Sequence, residues 1–301
     1  MITFYALSPE HGIDTKYGPI EYVVIGEGEP ILAIHGGGGG YDQGVVLYSL
    51  FADAGYSIIC PSRPGYLRTP LSSGKEIVEQ VDLCAELLSE LEIDKVGVVG
   101  GSAGGALTYE FAIRHSDRTK AIVVIDGISM KYAYKKEHKP VGKISETLFL
   151  SNTGMKLMSI LKDIMPKTVI KQILDIEGDL TPQELKERTQ HIAADPVKFD
   201  FMMGIYNTLY PYKERKVGLW NDVETEAALD KILVSKIKCP ALILHSNRDN
   251  DVVMAHADYA VSEIPDAEFY LIEGGTHFGF WVSDYASEAQ KKAVAFFREH
   301  L

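Results

Sequence analysis

The chain reads as an α/β fold, a mostly parallel central sheet with helices on both faces, and three observations carry that reading. Short β-branched runs alternate with amphipathic helical stretches through the first third of the sequence. Clusters of glycine directly follow two of those runs, where tight strand-to-helix turns belong. The alternation stops near residue 129 and resumes only after residue 228, so a helical insertion interrupts the sheet-forming sequence.

Strands are expected at 20–25 and 31–34, the second running into the glycines at 36–40. A helix follows over 43–54, then a strand at 57–60 stopped by Pro61 and Pro64. Over 76–91, Ile77, Val81, Cys84, Leu87, Leu88 and Leu91 recur three or four residues apart, the spacing of one buried helical face. The apolar run 95–99 leads through glycines into a helix at 106–114, and 121–125 repeats the strand signal. Such alternation implies βαβ units and a sheet buried on both faces. The insertion shows helix-like stretches at 145–149, 154–164, 169–176, 182–193 and 197–206, with Thr181 as N-cap and Pro182 at the first helical position. A strand at 241–245, a helix at 254–264, a strand at 268–272 and a last helix over 283–299, with Ser283 as its expected cap, complete the chain. The expected organisation is a core of residues 1–128 and 229–301 carrying a helical insertion of residues 129–228.

Composition excludes several classes. In 301 residues, 46% are hydrophobic and 24% charged, which is globular rather than disordered, collagenous or coiled-coil. The net charge of −12 opposes binding to nucleic acid or an anionic membrane, so a small-molecule substrate is the expected partner. Cys60, Cys84 and Cys239 have no C-x-x-C spacing, so neither a disulfide framework nor a cysteine-built metal site is expected. The first residues lack the charged start of a secretory signal, and no apolar run approaches the ~18 residues of a membrane span, so a cytoplasmic location is expected.

The strongest chemical signal is Gly100-Gly101-Ser102-Ala103-Gly104, a G-x-S-x-G sequence between an expected strand and an expected helix. A serine on such a turn needs small neighbours, and the turn lifts its hydroxyl above the sheet at the positive end of the helix. A serine hydroxyl is a poor nucleophile without a base, here a late histidine preceded by a carboxylate. His277 in Gly274-Gly275-Thr276-His277-Phe278 follows the last expected strand, and Asp249 follows the strand at 241–245. Asp126 and Asp251 remain alternatives for the acid. An unperturbed His277 would let activity rise near pH 6 to 7, from an ordinary pKa of about 6.5. The run His35-Gly36-Gly37 suits a loop that donates one oxyanion N–H; the donors expected are Gly37 and Ala103, with Gly36 the alternative. A nucleotide-binding reading of these glycines lacks a placed lysine or ribose acid, so no cofactor is expected.

In that order, His35-Gly36-Gly37, Gly100-x-Ser102-x-Gly104, Asp249 and His277 resemble the α/β-hydrolase superfamily over nearly the whole chain. Arg63-Pro64-Gly65-Tyr66 is similar to the loop after that family's fourth strand, and the family commonly carries a helical cap where residues 129–228 fall. Serine at position 102 separates the chain from the relatives that use aspartate there, such as epoxide hydrolases. The glycine loop is also similar to those of proline iminopeptidases and of carbon–carbon bond hydrolases. Gly39 and Ala103, however, stand where iminopeptidases usually have proline and tryptophan.

The resemblance implies a carboxylesterase-like serine hydrolase cleaving a small ester. The alternatives are an iminopeptidase-type aminopeptidase, a carbon–carbon bond hydrolase and a non-catalytic receptor of the same fold. Substrate contacts are expected from Met155, Met158, Met202, Tyr206 and Phe278, with Met165, Met203, Tyr210 and Trp220 as further apolar candidates. A peptide amine would call for a carboxylate such as Glu146, Asp163, Glu177 or Glu224, while Lys131, Lys135, Lys136 and Lys139 read as a solvated face.

Overall fold

A computed structural model describes residues 11–132 and 164–301. The described strands are β1 (His11–Thr15), β2 (Gly18–Ile25), β3 (Glu29–Ile34), β4 (Tyr56–Pro61), β5 (Val96–Ser102), β6 (Thr119–Gly127), β7 (Ala241–Ser246) and β8 (Ala267–Ile272). Helices α1 (Tyr41–Asp53), α2 (Ile77–Glu90) and α3 (Ala103–Arg114) connect the earlier strands. Helices α4 (Pro166–Glu177), α5 (Pro182–Ala194), α6 (Pro196–Thr208) and α7 (Lys216–Ala228) fall between β6 and β7, and α8 (Ala255–Glu263), the short α9 (Gly279–Val282) and α10 (Ala286–His300) follow.

All these strands form one sheet in the order β1-β2-β4-β3-β5-β6-β7-β8. Only β1 with β2 and β2 with β4 are antiparallel. The parallel strands are apolar on both faces, as a sheet covered twice requires. Ile31 and Ala33 of β3 face one core with Phe51 of α1 and Phe297 of α10; Leu32 and Ile34 face the other with Leu87 of α2 and Phe111 of α3. Each fully buried aliphatic side chain of this kind is worth about 1.5–3 kcal/mol. From β3 the chain turns to β4 on one side and later to β5 on the other, so the loops after β3 and β5 diverge and open a crevice at their carboxyl ends.

Thr181 caps α5 as expected: its Oγ1 accepts the Glu184 N–H at 3.3 Å, the Glu184 carboxylate accepts the Thr181 N–H at 2.8 Å, and Pro182 opens the helix. Three elements differ from expectation. Strand β1 has an unremarkable polar sequence and exists through its pairing with β2. Helix α7 buries Asn221, Asp222 and Glu226, so its inward face lacks the apolar period that would have marked it. Ser283 does not cap α10, which starts at Ala286 with Tyr285 at the N-cap; Ser283 instead terminates α9, donating its N–H to Gly279 O at 3.1 Å. The expected helix at 145–149 and all but the end of that at 154–164 lie outside the described residues. Among the described residues no helix is long and apolar enough to cross a membrane.

Candidate active site

Strand β5 passes into α3 with no residue between them, and Ser102 is the junction, at φ 53° and ψ −128°. That left-handed conformation strains a non-glycine residue by roughly 1–3 kcal/mol, and it persists because the packing around it leaves no alternative. The flanking glycines are spatially required. A Cβ on Gly100 would lie 2.5 Å from Gly104 O, and one on Gly104 2.5 Å from Ile34 O. The turn therefore fits between β3 and α3 only without side chains, and it sets Ser102 at the amino end of α3 beside the crevice.

Strands β7 and β8 run parallel to β5, so the loops after them end at the same edge of the sheet. Asp249 Oδ2 lies 2.7 Å from His277 Nδ1, and its Oδ1 accepts the N–H groups of Asp251 and Val252 at 2.8 and 2.9 Å. A carboxylate only accepts, so Nδ1 carries the proton and Nε2 is left for other work. Asp126, the first alternative, accepts the Ser246 N–H at 2.6 Å and its Oγ at 3.2 Å instead. Asp251, the second, faces the other imidazole nitrogen, with Oδ2 3.7 Å from Nε2, while its Oδ1 accepts from Tyr132 Oη.

Burial alone would lower the His277 pKa, but Asp249 first, then Asp251 and Glu177, outweigh it and raise the value well above the ordinary one. The rise in activity expected near pH 6 to 7 therefore moves upward. Glu177, the last residue of α4, is pushed up to about 8 by burial and then by Asp251, and its Oε2 has no partner among the described residues. Its backbone carbonyl accepts the N–H groups of Asn250 at 3.2 Å and His277 at 3.4 Å, and Gly178 bridges to Asp249. The end of α4 is thus bonded to both loops that carry the His277–Asp249 pair.

In the loop after β3, the Gly36 N–H donates to Gln43 Oε1 at 2.9 Å and the Gly38 N–H to Tyr66 Oη at 3.2 Å. Gly36 is therefore not free to serve as the alternative donor. Ala103 opens α3, so its N–H has no carbonyl one turn earlier. A Cβ on Gly36 would stand 3.4 Å from Ser102 Cβ, which places the loop directly beside the elbow.

A family model described as alpha/beta hydrolase fold matches residues 29–152. The chain is 28% identical to the uncharacterized hydrolase YcgS of Bacillus subtilis over 283 residues, 93% of this chain and 95% of that one. It superposes on an alpha/beta hydrolase fold protein from Nakamurella multipartita with a TM-score of 0.90 at 29% identity, covering 96% and 99% of the two chains. The fold is that of the α/β-hydrolase superfamily. The chain is a hydrolase, and it is also 24% identical over 267 residues, 85% of this chain and 84% of the other, to the 2-hydroxy-6-oxo-6-phenylhexa-2,4-dienoate hydrolase of Burkholderia cepacia.

Of the substrate contacts expected for this α/β-hydrolase, Met155 and Met158 lie outside the described residues, as do Lys135, Lys136, Lys139, Glu146 and Asp163. Met202 is fully buried in the apolar cluster that packs α6 on α1, so it serves packing, and Tyr206 is buried beside it. Phe278 is half-buried with its ring 5.5 Å from that of His277 and 6.1 Å from that of Phe201. Met165 and Trp220 are exposed, and Glu224 and Lys131 face solvent. Sequence reasoning missed Leu209 and Leu219, whose Cδ atoms lie 3.1 and 3.8 Å from where Gly38 and Gly37 would carry a Cβ. It also missed the role of Gln43 and the place of Glu177. One signal was available for Glu177: a carboxylate in a helix's last turn opposes the helix dipole.

Among the described residues two groups bring donor atoms within 4.8 Å of one another, Asp126 with His245 and Asp249, and Glu177 with Asp251 and His277. In the first, Asp126 is engaged by Ser246, Asp249 by His277, and His245 Nε2 by Val252 O at 2.9 Å. In the second, His277 Nε2 is the only imidazole nitrogen not already bonded to Asp249.

Proposed function

We propose that this hydrolase cleaves a small ester through an acyl-serine, with residues 1–128 and 229–301 as its catalytic core and residues 129–228 as a cap. Ser102 Oγ attacks the carbonyl carbon while its proton passes to His277 Nε2. Asp249 holds the Nδ1–H and faces the imidazolium that forms. The N–H groups of Gly37 and Ala103 receive the developing oxyanion. The imidazolium returns its proton to the leaving alcohol as the C–O bond breaks. His277 next takes a proton from water, which attacks the acyl-serine, and returns that proton to Ser102 Oγ as the acyl C–O bond breaks and the acid leaves.

The observation that carries this reading is the left-handed Ser102 at the strand–helix junction together with the 2.7 Å His277–Asp249 bond at the same sheet edge. A fluorophosphonate probe tests it: the wild type labels at Ser102 and Ser102→Ala does not. Equal labelling of the two, or none of the wild type, refutes the mechanism. A second reading, hydrolysis of a carbon–carbon bond by the same residues, is favoured by the name of the Burkholderia relative. Turnover of a 2-hydroxy-6-oxo-dienoate well above that of p-nitrophenyl butyrate would replace the ester reading with it.

A further inference from the structure

The carbonyl of Gly36 accepts two hydrogen bonds, 2.7 Å from His35 Nδ1 and 3.1 Å from Arg63 Nη2. His35 is fully buried, and burial followed by the Arg63 charge holds its pKa well below the usual value, so it is neutral. Its Nε2 accepts the Arg63 backbone N–H at 3.0 Å, which leaves the proton on Nδ1. In a planar trans peptide, a carbonyl and the next residue's N–H point in opposite directions. Turning the Gly36 oxygen toward His35 and Arg63 therefore turns the Gly37 N–H away from them.

Arg63 is gripped in turn from the inserted helices. Its Nη1 and Nη2 donate to Asp222 Oδ1 and Oδ2 of α7 at 2.8 and 2.6 Å. Tyr66 Oη donates to the same carboxylate while accepting the Gly38 N–H. Both charged side chains are sealed from solvent, at 1% and 6% exposure. Glu226 lies nearby, and burial, then Asp222, push its carboxyl well above the usual range, while both Asp222 oxygens meet the guanidinium. A buried ion pair of this kind does little for stability that well-packed apolar residues would not do, so its geometry asks for another use.

We propose that Arg63, anchored by Asp222, is a positioning residue of the oxyanion hole, and that the inserted helices aim the Gly37 N–H through this ion pair. The inference rests on the serine-hydrolase reading above. Arg63→Lys keeps the charge but replaces a rigid fork with one point donor. Its readouts are p-nitrophenyl butyrate turnover and inhibition by an alkyl trifluoromethyl ketone, which becomes tetrahedral on Ser102. We expect kcat to fall about 10- to 100-fold, short of the loss of a whole donor, and the inhibitor's affinity to fall by a similar factor with KM nearly unchanged. The double variant Arg63→Gln/Asp222→Asn leaves no lone buried charge and carries the same expectation should the lysine variant not fold. Fluorophosphonate labelling of the wild type comes first, because its absence refutes the serine mechanism itself. Where the wild type labels, unchanged kcat and inhibitor affinity in a folded variant overturn the positioning role. So does a rise in KM that accounts for the whole loss in kcat/KM.

Discussion

Gly178→Ala tests whether the position of α4 against the β8 loop sets the geometry of His277. Gly178 has φ −131° and ψ 144°, extended backbone that alanine adopts freely, so any cost is one of space. An added Cβ would overlap Thr276 Cγ2 and stand 3.0 Å from Leu174 O and 3.1 Å from Thr276 Cβ. Leu174 O belongs to α4 itself, so relief must come largely by moving the loop of Thr276, the residue before His277. Inserting a methyl into a packed site costs about 1–3 kcal/mol. At roughly 2–4 °C per kcal/mol for a large domain, Tm should fall by several degrees. A shift of His277 relative to Ser102 by a good part of an ångström should lower kcat by about 10- to 100-fold. Thr276→Ser removes the overlapped methyl, so the double variant should regain about 1 kcal/mol over the sum of the single effects. Thermal melts and p-nitrophenyl butyrate kinetics on the four proteins complete the cycle. An unaltered Tm and kcat in Gly178→Ala, or strictly additive effects in the double variant, would refute the reasoning.

Asp249→Asn should lower kcat by about 10⁴ through loss of the correct imidazole tautomer, whereas Asp126→Asn should stay within about tenfold of wild type; the opposite ranking would make Asp126 the acid. The kcat/KM profile should rise with pH as His277 loses its proton, with a midpoint above the usual value of about 6.5. Because Asp251 helps raise that pKa, Asp251→Asn should move the midpoint down, and an unmoved or higher midpoint contradicts the electrostatic account. Glu177, pushed up to about 8, keeps a proton in the folded protein that the unfolded chain releases at lower pH. Folding stability must fall as pH climbs through that interval, so the Tm advantage of Glu177→Gln over wild type should grow from pH 5 to pH 9; a constant difference removes the argument.

The inserted helices meet the core at two places that matter chemically. The end of α4 touches the loops of Asp249 and His277, and α7 reaches the glycine loop through Asp222. A second buried arginine strengthens the latter contact: Arg215 donates to Gly39 O at 2.7 Å and to both oxygens of Asp42 at 3.0 and 2.7 Å. The loop expected to stabilise the oxyanion is therefore held directly from the inserted segment at Gly39, by Arg215, and at Gly36 and Gly38 only through Arg63 and Tyr66, which Asp222 anchors.

What the sequence determined by itself was whatever local spacing controls. The β5 to α3 turn, the glycine at 100, the Thr181 cap and the alternation of buried strands and amphipathic helices all depend on residues within a few positions of each other, whereas the glycine at 104 answers to Ile34 O of β3. Ser102 and His277 were legible for the same reason, each sitting in a glycine-rich turn after a strand. Choices among Asp126, Asp249 and Asp251, and between Gly36 and Gly37, were left to the tertiary structure. Three aspartates near the same sheet edge differ only in which partner their oxygens reach: Ser246, His277 or Tyr132. The Gly36 N–H is lost to a side chain seven residues away, and Arg63 meets a carboxylate 159 residues away. Burial then sets the protonation of Glu177 and Glu226, and burial is a property of the packed molecule. Hydrogen bonds and charges act through distance in space, and no periodicity along the chain encodes distances that folding alone creates.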